Sequence, residues 1–122
     1  MIEAKKMALD IAKLLDEKKA MDVAVIDISP KASFADYFVM ASAGSERQLD
    51  ALVDNVEDAL EPQKIFPKSV EGKRSSGWIL MDYGDVVVHI FTQQTRGFYD
   101  LERLWKDGAQ LPLSDFLPEA DS

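Results

Sequence analysis

Apolar residues near the start of the chain recur at helical intervals: Met7, Ala8, Ile11, Leu14 and Leu15 form one stripe, and Glu3, Lys5, Lys6, Asp10, Lys13 and Asp16 fill the other faces. That spacing predicts an amphipathic helix ending near Lys19. The pattern changes to VAVIDI at 23–28, a β-branched run suited to a buried strand and closed by Ser29-Pro30, since proline forbids continuation. A second strand-length run, YFVMA, occupies 37–41 with Asp36 at its mouth. Ser45 and Gln48 make a capping box after Gly44, and Leu49, Leu52, Val53, Val56 and Leu60 then form one helical face that Pro62 should stop. Ile65-Phe66 and Ser69-Val70 suggest a short third strand, placed near an edge by Pro67. A polar loop covers 71–77. The runs at 78–81 and 86–91 flank Asp82-Tyr83-Gly84-Asp85, where glycine supplies the positive φ of a tight hairpin. Leu101, Leu104 and Trp105 predict a short helix over about 99–106.

The order helix, strand, strand, helix, three strands, helix predicts an α/β domain with a mixed sheet covered by helices. A length of 122 residues suits one domain, read as 1–106, with an irregular acidic tail over 107–122. Composition is that of an ordinary globule, and the absence of cysteine excludes disulfides, thiol catalysis and cysteine-ligated zinc. Charges interrupt every apolar run near the N-terminus, so neither a secretory signal nor a membrane span is read there, and a cytoplasmic location is expected. The net charge of −8 argues against wrapping a nucleic-acid backbone and accommodates a basic partner more easily, while on composition alone solubility is the simpler account of the acidity.

Candidate chemistry is thin. His89 is the single histidine, which excludes a multi-histidine metal site and leaves a Ser-His-acid arrangement, yet no G-x-S-x-G occurs and the residue lies inside VVVHIF. A hydrogen-bonded structural histidine is the simpler reading. Asp82 and Asp85 flank the turn and, joined by Asp36 or Asp27, could hold a hard cation; two carboxylates are too few on their own, and capping the turn suffices. Gly44-Ser45 at a strand-to-helix turn could meet a phosphate, as in nucleotidyltransferases. Such enzymes also need an acid-x-acid pair for two metal ions, whereas Asp50, Asp54, Glu57 and Asp58 have helical spacing here. No enzymatic activity, cofactor or metal is therefore expected. Trp78, with Asp82 and Tyr83 close by, instead has the composition of an interface anchor with an acidic rim, set against the ordinary alternative of core packing.

Several ordered motifs now carry a resemblance: VIDIS at 25–29, ADYFVMASAGSERQ at 35–48, VEG at 70–72, WILMDYGDVVVHIF at 78–91 and FYDLERLW at 98–105. Together, over about residues 3 to 106, they resemble the ribosomal silencing factor family, RsfS or Iojap. The resemblance implies a nucleotidyltransferase-like fold without the catalytic carboxylates. It also implies binding to the large ribosomal subunit through its universally shared, basic protein number fourteen, steric block of subunit joining, and repression of translation in starvation or stationary phase. A homodimer off the ribosome is implied as well. Carried onto this sequence, the contact residues are Trp78, Met81, Asp82, Tyr83 and Asp85, with Glu71 and Lys73 at the rim; period-two alternation requires some of these to be core. A degenerate nucleotide-binding protein and a large-subunit assembly factor are the alternatives.

Overall fold

The computed structural model describes residues 3–29, 33–72, 74–99 and 109–110. Helix α1 (Ala4–Glu17) buries Met7, Ala8, Ile11, Ala12 and Leu15, the face that the apolar spacing marks. Strands β1 (Met21–Asp27) and β2 (Tyr37–Ala43) follow, then helix α2 (Glu46–Leu60), which buries Leu49, Leu52, Val53, Val56 and Leu60. The α-helix ends at Leu60, two residues before Pro62, as expected. Pro62 itself sits at the start of a 3₁₀ turn, Glu61–Gln63, closed by Lys64 at φ 60, a geometry that tolerates the missing N–H where an α-helix would not.

The expected third strand is shorter than the apolar run: only Ser69–Glu71 (β3) joins the ladder. Strands β4 (Trp78–Asp82) and β5 (Val86–Thr92) form the hairpin. Helix α3 (Gln93–Tyr99) comes directly afterwards, where the apolar spacing predicts none; Gly97 and the polar run QQT hide it from a periodicity reading. The helix expected over 99–106 lies outside the described residues beyond Tyr99, and so does most of the tail. Within that tail, Ala109–Gln110 (β6) pairs with Ile26 and Asp27, which corrects the irregular reading for those two residues.

The six strands run β3-β4-β5-β2-β1-β6. Only β2 and β5 are parallel; the other pairs are antiparallel. Because side chains alternate along each strand, the sheet separates two cores. One joins α1 and α2 to Val25, Val39, Ile79, Met81, Val88 and Ile90. The opposite face gathers Ile26, Ile28, Phe38, Met40, Val87 and Phe91, with Trp78 and Leu80 packed against them. The β4–β5 hairpin thus contributes one row of side chains to each core.

Candidate functional site

The hairpin turn is fixed by its own chemistry. Tyr83 N donates to the Val86 carbonyl at 2.9 Å, and Gly84 takes φ +89 at the first central position, as a type II′ turn requires. Asp82 Oδ1 accepts from Gly84 N at 2.8 Å, so that carboxylate braces the turn. The Asp85 carbonyl accepts from both Asp36 N and Tyr37 N, at 2.8 and 3.0 Å, which ties the turn to the start of β2 and leaves the Asp85 side chain exposed. Asp27 Oδ1 is engaged locally by Ser29 N and Ser29 Oγ at 3.0 and 2.6 Å. Among the described residues no three His, Cys, Asp or Glu side chains are grouped to hold a metal ion.

Counting back from the turn pairs Trp78 with Phe91 and Leu80 with His89. The indole stacks on Phe91 at 5.3 Å, and its Nε1 donates to His89 Nδ1 at 3.2 Å. Phe38 meets the imidazole edge-on at 4.5 Å. Burial lowers the His89 pKa to about 4, because a charged imidazolium would lose its hydration. The histidine is therefore neutral at physiological pH. One nitrogen holds Trp78 and the other, Nε2, has no hydrogen-bond partner, so neither a serine nor a carboxylate is bonded to it. Its role is to orient the indole, the structural reading of the lone histidine.

Gly44-Ser45 is likewise occupied by folding. Ser45 Oγ accepts from Gln48 N at 3.1 Å. Gln48 Oε1 reaches Gly44 N at 2.7 Å rather than the cap residue itself, and Nε2 donates to the Lys19 carbonyl at 3.2 Å. On α2, the Glu57 carboxyl is pushed up by burial and by Asp54, Asp58 and Glu61, the mutual repulsion of a helical acidic face.

The expected contact residues divide by strand parity. Trp78 and Asp82 lie on the face opposite α1 and α2, half-buried, while Glu71 and Asp85 are exposed. Met81 is 0% exposed in the helix-side core, so its side chain cannot form part of a contact surface. Tyr83 is also core, 8% exposed, with its hydroxyl buried and unpartnered. Both assignments are corrected by the same cause: adjacency in sequence does not determine which side of a sheet a residue faces. Lys73 lies outside the described residues.

Sequence reasoning misses Leu80, although it sits between Trp78 and Asp82 on the same face; the period-two count from Trp78 finds it. Gly72 is missed as well. Its φ is +97, and an added Cβ would stand 2.2 Å from the Trp78 carbonyl, so only glycine lets the loop close against β4. A shallow groove results, lined by Glu71, Gly72, Ser76, Trp78 and Leu80: one indole, one leucine and a carboxylate rim.

The family model described as "Ribosomal silencing factor during starvation" matches residues 1–122. Ribosomal silencing factor RsfS of Bacillus subtilis is 37% identical over 100 residues, covering 82% of each chain. A mouse relative named mitochondrial assembly of ribosomal large subunit protein 1 is 34% identical over 98 residues, covering 78% of this chain and 43% of the mouse protein. A crystal structure of a Chromobacterium violaceum protein superposes with a TM-score of 0.82 at 32% identity, covering 91% of both chains. With the α/β fold, the ordered motifs and a whole-length family match in agreement, the chain belongs to the ribosomal silencing factor (RsfS, Iojap) family.

Proposed function

We propose that this protein binds the large ribosomal subunit at its basic protein number fourteen, occupies the face needed for subunit joining, and so represses translation when growth stops. It acts by obstruction and performs no reaction, in the cytoplasm where its target resides. The observation that carries the reading is the groove on the outer face of the hairpin, where Trp78 and Leu80 are rimmed by the Glu71 carboxylate, with Asp82 farther along the same strand. An aromatic anchor inside an acidic rim suits a basic protein surface. Self-association off the ribosome would use the same apolar groove and compete with that contact.

Cosedimentation with purified large subunits, followed by addition of small subunits, tests the reading. The wild-type protein should cosediment and lower the yield of joined ribosomes. Trp78→Ala should weaken binding by about 2 kcal/mol, and Glu71→Lys, at the exposed groove rim, should weaken it through like-charge repulsion. Wild-type protein that neither cosediments nor reduces joining would overturn the proposal. The large-subunit assembly reading is favoured by the name of the mouse relative; build-up of large-subunit precursors on deletion, with subunit joining unaffected, would select it.

A further inference from the structure

Residues 64–70 form a strip that the hairpin contact does not use. Lys64, Phe66, Lys68 and Val70 are exposed, whereas Ile65, Pro67 and Ser69 are half-buried; Lys64 closes the 3₁₀ turn in the left-handed region, and the chain after it runs on into β3. The strip leads into β3, the edge of the sheet. Phe66 is 61% exposed and Val70 44%, an unusual amount of apolar surface to leave in water on one short segment.

Its charge is opposite to that of the molecule. The chain carries −8 overall, yet 62–70 contains Lys64, Lys68 and no acid, with Glu61 and Glu71 standing at the two ends. Neither Lys64 nor Lys68 is ion-paired among the described residues, although the Lys68 ammonium lies close to Gly84 of the hairpin turn. Pro67, two residues before β3, has no N–H to offer, so an added protein strand would find only the short edge Ser69–Glu71. What remains is a contact through side chains: two cations with an exposed aromatic ring between them. Cations for phosphates and a ring for a base are the elements of single-stranded nucleic-acid binding.

We propose that the Lys64, Phe66 and Lys68 strip docks on a single-stranded segment of large-subunit ribosomal RNA, the lysines on phosphates and Phe66 stacked on an unpaired base. The net acidity confines this to a local contact beside the hairpin surface, and the inference rests on the large-subunit reading above.

The test is cosedimentation of the full chain with purified large subunits over a salt series, with ultraviolet crosslinking of the complex. Lys64→Gln combined with Lys68→Gln should make the dependence of log affinity on log salt shallower by about 1.4, or about 0.7 for each phosphate that a lysine no longer neutralises. Phe66→Ala should weaken binding roughly fivefold or more. Crosslinking should attach a nucleotide to the peptide spanning 65–68. All three side chains are exposed, so an unchanged Tm is expected and confirms that the variants fold. Wild-type protein that fails to bind subunits overturns the large-subunit reading itself. Wild-type binding with an unchanged salt dependence in the double variant overturns the strip alone. Crosslinks from the strip to a ribosomal protein instead of a nucleotide assign it to an acidic protein surface and overturn the RNA contact.

Discussion

Tyr83 shows what a single buried polar atom does to this hairpin. Its ring belongs to the helix-side core, yet its hydroxyl has no hydrogen-bond partner, and burial, with Glu57 nearby, pushes its pKa up to about 12. A buried hydroxyl without a partner forfeits its hydration for nothing in return. Tyr83→Phe should therefore leave stability unchanged or raise it by up to about 1 kcal/mol, measured by urea unfolding, with subunit binding unaltered. Weaker subunit binding in that variant would restore the hydroxyl to the contact surface. Met81 provides the opposite case: fully buried among aliphatic neighbours, it should cost about 2–5 kcal/mol on truncation to alanine. Trp78 lies three residues away on the other face, and only strand parity tells the two apart.

At the scale of elements, the Gln48 side chain ties α2 to two other pieces of chain. Its Oε1 accepts from Gly44 N beside the cap, and its Nε2 reaches the chain just past the end of α1 at the Lys19 carbonyl, while its backbone N–H meets the Ser45 hydroxyl. Gln48→Ala should destabilise by about 1–2 kcal/mol, more than an isolated cap residue in a peptide, because the bond to Lys19 goes as well. Thermal unfolding would check this, and a change below a few tenths would mean that the contact to Lys19 contributes nothing. The capping box was legible in the sequence because its partners are three residues apart; the bond to Lys19 was not, because it spans 29 positions. The same division explains the elements. Both long helices and the hairpin follow from local periodicity. Helix α3 does not: its start depends on Thr92, whose Oγ1 accepts from Thr95 N at 3.3 Å, and its placement on Arg96, which donates to the Asp22 carbonyl at 2.5 Å and to Ser42 Oγ at 3.0 Å. Those acceptors come from distant strands, one of them at a bulge where Asp22 takes φ 50.

The whole molecule is two cores on one sheet, and the lone histidine belongs to the outer one. That arrangement ties part of the molecule's acid stability to the titration of one buried imidazole. His89 has a folded pKa of about 4 against 6.5 for the unfolded chain, so between those values the unfolded state binds a proton that the native state refuses. The contribution is fully present above pH 6.5 and is lost as pH falls toward 4. Protonation would also place a hydrogen on Nδ1, the atom that accepts from Trp78 Nε1, so the penalty falls on the residue that orients the candidate docking indole. Glu57 acts in the opposite direction, since its raised carboxyl pKa relieves repulsion on α2 as acid is added. The wild-type unfolding free energy should fall by about 2 kcal/mol between pH 7.5 and pH 5 through His89 alone. His89→Gln, which keeps a polar group opposite the indole, should be less stable at neutral pH but nearly flat across the same interval. Parallel pH profiles for the two proteins would show that the proton enters elsewhere and that the buried imidazole does not govern acid stability.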